Sequence, residues 1–168
     1  MKLFVVLLGG DHPKAKIEVH DVVFAVGESL GETYDQLRAG WFGVPQKVHI
    51  DAWIEAEGFG GHRFELKAEA PAEDAPRLFL INYGGYEAGV FGELHEFAFV
   101  VAQDGVEAKK QAKEKLKQEW HEPHVDGVMD VEACLPVEVM HGLHLHLVPG
   151  EHAEQKATSE YIPIGKRG

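Results

Sequence analysis

Histidine and carboxylate keep recurring side by side in this chain. His20-Asp21, His49-x-Asp51, His95-Glu96 and His124-x-Asp126 each set an imidazole next to an acid. On an extended strand the H-x-D step places both side chains on one face, roughly 6.5–7 Å apart. Imidazole nitrogen and carboxylate oxygen are the donors that zinc and related divalent ions take. A pair gives two ligands and a closed zinc site needs four, so further donors must arrive from elsewhere, and Glu55 or the His20-Asp21 step is available. The same pattern also permits plainer chemistry, in which each histidine bonds backbone at a strand end with the acid as its partner. The candidate metal ligands are therefore His20, His49, Asp51, His95, His124 and Asp126. No catalytic and no cofactor-binding residue is assigned; a divalent metal is the one candidate cofactor, and otherwise none is expected.

These residues sit inside an internal repeat. Residues 2–57 align with residues 77–132 at a constant offset of 75 without a gap, and 13 of the 56 paired positions are identical. Roughly three or four identities would arise by chance from ordinary residue usage. KLFVVLLGG returns as RLFLINYGG, and IEVHDVVFAV as GELHEFAFVV. The polar identities are Glu18/Glu93, His20/His95, Glu32/Glu107, Gln36/Gln111, His49/His124, Asp51/Asp126 and Glu57/Glu132. Repetition at fixed spacing means that the architecture is two copies of one unit.

The elements that must position these side chains follow from periodicity. Leu3–Leu8 is a continuous apolar run, as in a strand covered on both faces, and Gly9-Gly10 ends it as Gly84-Gly85 ends its partner. Glu18–Val26 and Glu93–Val101 carry apolar residues on both faces and read as interior strands. Ser29-x-x-Glu32 and Asp104-x-x-Glu107 are helix-capping signatures. Leu30, Tyr34, Leu37 and Trp41 then form one helical stripe, and Ala108, Ala112 and Leu116 a weaker one, with Pro123 forbidding continuation. The third strand alternates, with His49, Asp51, Trp53 and Glu55 opposite Ile50, Ala52 and Ile54. A fourth strand, His62–Lys67, is matched by His141–Leu147 after a four-residue insertion. The expected fold is α+β: a β-β-α-β-β unit used twice, the halves related by a pseudo-twofold axis and sharing one core. The expected divisions are a first repeat over 1–67, a linker over 68–76, a second repeat over 77–148 and a C-terminal tail over 149–168. In that tail Tyr161-Ile162-Pro163-Ile164 either docks or frays.

Composition narrows the partners. The chain has 168 residues and a formal net charge of −12, with 7 basic and 13 acidic side chains in residues 1–75 and 9 and 15 in residues 76–168. A field of that sign repels phosphate backbones and anionic lipid, so neither nucleic acid nor a membrane surface is an expected partner, and a homodimer is the assembly left open. The lone Cys134 cannot form an intramolecular disulfide, which fits a reducing, cytoplasmic setting and a small buried apolar role. No apolar run approaches the length of a membrane span. His144-x-His146 reads as a solvated strand face, and the glycines from Gly84 to Gly92 lead into a strand rather than a helix, unlike a phosphate loop.

KLFVVLLGG, IEVHDVVFAVGES and HIDAW together resemble a small bacterial family known as domain of unknown function 1543. The resemblance implies one or two domain copies per chain and carries over no activity or catalytic residue. The leading functional expectation is a non-enzymatic binding or interaction protein. The alternative is a metal-dependent enzyme with a His/Asp site built from both repeats. Begun at its second strand, the unit reads β-α-β-β-β, the module order of vicinal-oxygen-chelate enzymes, an analogy at the level of fold alone.

Overall fold

A computed structural model of the chain describes residues 1–86, 88–119 and 130–165. In the first copy, β1 (Lys2–Gly10) and β2 (Val19–Gly27) pair antiparallel, with Lys2 opposite Gly27 and Gly10 opposite Val19. A 3-10 turn (Leu30–Thr33) runs into α1 (Tyr34–Gly40), followed by β3 (His49–Ala56), the short β4 (Gly58–Phe59) and β5 (His62–Lys67). The second copy repeats that order with β6 (Arg77–Gly85), β7 (Leu94–Ala102), α2 (Gly105–Glu119), β8 (Asp130–Pro136), β9 (Val139–Met140) and β10 (Leu143–Pro149). The tail forms β11 (Lys156–Pro163). The strands make three sheets, ordered β11-β3-β1-β2, β7-β6-β8 and β4-β5-β10-β9. Among the described residues the fold is thus strand-dominated, with two short helices. Two compact units result: residues 1–69 with 139–144 and 148–168, and residues 70–138 with 145–147.

Each unit is organised on a central strand whose apolar run dictates its place. In β1, Phe4, Val6 and Leu8 pack with Ala25, Leu37, Trp41, Val48, Ile50 and Ile164. In β6, Phe79, Ile81 and Tyr83 pack with Val100, Ala102, Ala108 and Ala112. Each fully buried large aliphatic or aromatic side chain contributes on the order of 1.5–3 kcal/mol, which makes these strands the rigid floor of each unit. Tyr83 also donates its buried phenol O–H to the Ala112 carbonyl at 3.1 Å, tying α2 to the sheet.

Several expectations need correction. β2 and β7 are edge strands rather than interior ones, and their first halves are exposed or only half-buried. Ser29 makes no side-chain cap, whereas Asp104 accepts N–H bonds from Val106 and Glu107 at 2.8 and 2.9 Å. A 3-10 start explains the failure, since the turn closes through backbone, with Glu32 N–H donating to the Ser29 carbonyl at 3.2 Å. The C-terminal segment docks: β11 lies antiparallel on β3, with Lys156 opposite Glu55 and Pro163 opposite His49.

The constant offset also breaks. Gly9 and Gly84 hold equivalent places 75 residues apart, but the β3 residue opposite Gly9 is His49 and the β8 residue opposite Gly84 is Asp130, 81 apart. The second copy therefore carries six extra residues between its second and third long strands, where α2 is also the longer helix. Past that point the gap-free identities are not structural equivalents. Asp130 and Glu132 take the places of His49 and Asp51, while His124 and Asp126 lie outside the described residues.

Candidate metal centre

Gly9 is the floor of the first cluster. It pairs with His20 on β2 and with His49 on β3, so the two imidazoles belong to a row crossing three strands with no side chain in the middle. Adjacent strands lie about 4.8 Å apart, which leaves a gap over the glycine that long side chains from both flanks can reach. A Cβ built on Gly9 would lie 2.5 Å from Asp51 Oδ2, 2.6 Å from His49 Nε2 and 2.8 Å from Glu18 Oε1. Three ligand-type atoms thus converge over one bare α-carbon.

A β-bulge aims the carboxylate. Leu7 pairs with Ala52 and Leu8 with Ile50, which leaves Asp51 as the extra residue of β3. A bulged residue escapes strict alternation and bends its strand, so its side chain is redirected. Regular spacing would hold His49 and Asp51 well apart; here His49 Nε2 is 3.4 Å from Asp51 Oδ1. The second copy has the same device, for Asn82 pairs with Ala133 and Tyr83 with Val131, leaving Glu132 extra.

The first cluster consists of Glu18, His20 and Asp51, whose donor atoms all lie within 4.8 Å of one another. His20 Nε2 stands 3.2 Å from Asp51 Oδ2, and His49 Nε2 stands 2.5 Å from Glu18 Oε1. His49 is buried at 6% exposure, its Nδ1 lies 3.2 Å from the Lys47 carbonyl, and its ring meets that of Tyr161 at 4.5 Å. A carbonyl can only accept, so Nδ1 carries the proton and Nε2 faces the two carboxylates. Asp51 Oδ2 is shielded from solvent yet accepts no hydrogen bond among the described residues, because His20 approaches it off a hydrogen-bonding direction. Clustered acceptors around a buried oxygen repel one another unless a proton or a cation lies between them.

The second cluster is Glu93, His95 and Glu132, again within 4.8 Å. His95 Nδ1 is 3.3 Å from Glu132 Oε2, and Asn82 donates to that same oxygen at 3.3 Å. Gly84 is its floor, since a Cβ there would lie 2.3 Å from the Glu132 carboxyl carbon. Asp130, in the place of His49, is engaged elsewhere: Lys113 Nζ sits 2.9 Å from it and holds its carboxyl below the usual carboxylate range. The negative charge of Glu93 pushes the Tyr86 phenol above its ordinary pKa, helped by desolvation and a hydrogen bond to the same carboxylate.

Of the residues named from sequence, His20, His49 and Asp51 meet in the first unit and His95 stands in the second cluster. Each cluster draws its donors from a single copy. Glu55 does not join; it is paired with Lys2. Glu18, Glu93, Glu132, Gly9, Gly84 and Tyr161 were not singled out as site residues. The Glu18/Glu93 and Gly9/Gly84 identities were the available sign, but the glycines read as strand ends whereas β1 and β6 run through them. Cys134 is half-buried, and burial pushes its thiol pKa up.

Among the described residues no helix is long and apolar enough to cross a membrane. No curated protein matches the chain. Among solved structures, the crystal structure of a protein Il1583 from Idiomarina loihiensis is similar, at 31% identity and a TM-score of 0.73, covering 98% of this chain and 99% of that one. The family model described as Domain of Unknown Function (DUF1543) matches residues 15–66 and 91–141, which are the two segments holding the two clusters. The chain therefore belongs to the DUF1543 family and carries two tandem copies of its domain.

Proposed function

We propose that this is a binding protein whose ligand is a divalent first-row metal ion, taken by the Glu18–His20–Asp51 cluster of the first copy, with His49 beside it. The observation that carries the reading is the solvent-shielded Asp51 Oδ2, which accepts no hydrogen bond among the described residues while it faces His20 and, through its carboxylate, His49. Nitrogen and oxygen donors of this kind suit zinc, iron, nickel or manganese better than calcium, which prefers oxygen alone. Glu93, His95 and Glu132 offer a second, more acidic set. The only cysteine supports a reducing compartment as the place of action.

Elemental analysis of untagged full-length protein tests this. The expected result is bound transition metal that is lost when His20→Ala and Asp51→Asn are combined, with the circular dichroism spectrum unchanged. Metal-free protein that takes up no zinc, manganese, iron or nickel after equilibration overturns it. A second reading keeps the cluster as an ion-pair network, in which His49 links the Lys47 carbonyl to Glu18; the contact distances of 3.2 and 2.5 Å favour it. Under that reading Glu18→Gln lowers thermal stability and no metal binds.

A further inference from the structure

Glu18 belongs to two features at once. It is a member of the Glu18–His20–Asp51 cluster, and it lines a cavity of about 550 Å³ together with Asp11, His12, Lys16, Ile17 and Val44. Small-molecule sites span roughly 300–1,000 Å³, and this one is open to solvent, with Asp11, Lys16, Ile17 and Glu18 all exposed. The cavity wall is tied down: Val44 N–H donates to the Asp11 carbonyl at 2.8 Å, and Ala15 N–H to the His12 carbonyl at 3.0 Å. The His12 ring lies 5.6 Å from that of Phe42, and its Nδ1 accepts the Lys14 N–H at 3.2 Å. Acceptance at Nδ1 leaves Nε2 to carry the proton, so His12 offers a donor and Lys16 an ammonium. A divalent ion on the cluster cancels the charges of Glu18 and Asp51, while Lys16 offsets Asp11. An anion entering the cavity then meets donors without a net negative wall.

We infer that the first copy binds a small oxyanion, carboxylate or phosphate, which bridges the metal ion at Glu18, His20 and Asp51 to the ammonium of Lys16. This inference rests on the metal-binding reading and names what the metal presents itself to. Three protein donors leave room for an exogenous oxygen ligand on a divalent ion. In the second copy the residues matching Lys16 and Ile17 are Phe91, which is fully exposed, and Gly92, so no ammonium stands at that place and one anion is expected per chain.

The test uses the full chain loaded with cobalt(II), whose visible spectrum reports its ligands, titrated separately with acetate and with inorganic phosphate. The expected result is a saturable spectral change at one anion per chain, with the tighter probe identifying the source of the oxyanion. Lys16→Met should weaken that anion about tenfold and Lys16→Arg should restore it, both with unaltered cobalt affinity, as expected where charge rather than shape is used. Cobalt bound with a spectrum indifferent to both probes, or equal anion affinity in Lys16→Met, overturns this inference alone. Failure to bind cobalt overturns the metal-binding reading and this one with it.

Discussion

His49 Nε2 lies 2.5 Å from Glu18 Oε1, although the two residues are 31 positions apart and sit at opposite flanks of β1. An imidazole nitrogen and a carboxylate oxygen that close repel one another as bare lone pairs, and a positive centre beside them relieves the repulsion. Where the centre is a metal ion, Glu18→Gln removes half of the negative charge that Glu18 and Asp51 bring. Loss of even an outer partner of a metal ligand costs roughly 10–100-fold in affinity. A competition titration with a chromophoric chelator is expected to show at least the lower figure, and affinity equal to the parent's would remove Glu18 from the site.

Burial gives His49 a structural share as well. His49→Ala gives up the bond from Nδ1 to the Lys47 carbonyl and the ring contact with Tyr161 on β11. A lost hydrogen bond costs about 0.5–1.5 kcal/mol, and an aromatic pair is worth a similar amount. A urea melt of metal-free protein should place the variant about 1–2 kcal/mol below the parent. In a double-mutant cycle Tyr161→Ala should be non-additive with it; strict additivity would show that β11 does not brace the ring.

Gly9→Ala tests whether the cluster needs a bare strand. The new Cβ would fall within 2.5–2.8 Å of Asp51, His49 and Glu18, so at least one donor must move. Overpacking costs typically about 1–3 kcal/mol, and here the displaced atoms include the ligand oxygens of Asp51 and Glu18. Metal affinity should fall sharply while the far-UV spectrum stays native. Gly31→Ala, whose Cβ finds nothing nearer than Ser29 Oγ at 4.0 Å, is the matched control. Unchanged metal affinity in Gly9→Ala would refute the geometry.

Tyr86 reports the second cluster. The charge of Glu93 raises its phenol pKa above the ordinary 10.0. A group with a raised folded pKa contributes stability below its unfolded value and loses it as the pH rises through the folded one, so the effect is confined to alkaline conditions above about pH 10. The difference in 295-nm absorbance between parent and Tyr86→Phe should give a curve displaced to high pH. Glu93→Gln should move that curve back, and a divalent ion bound beside Glu93 should do the same. A Tyr86 curve insensitive to Glu93→Gln would show that the carboxylate does not govern it.

Sequence alone determined what local physics determines. The apolar runs of Leu3–Leu8 and Leu78–Tyr83 made them central strands, because only a strand covered on both faces can hide so many side chains. The recurrence of Glu18 and His20 as Glu93 and His95 marked the polar plan, and Asp104-x-x-Glu107 marked where α2 begins. Tertiary structure alone decided which third donor meets them. Six additional residues moved Asp130 and Glu132 into the places that a gap-free comparison gave to His124 and Asp126, and a bulge turned Asp51 and Glu132 toward their histidines. Strand register is settled by cooperative hydrogen bonding across the whole sheet, and a shift of one residue sends a side chain to the opposite face. No local pattern around Asp51 encodes that choice, nor that Gly9, which reads as the end of a strand, leaves the room in which three donors meet.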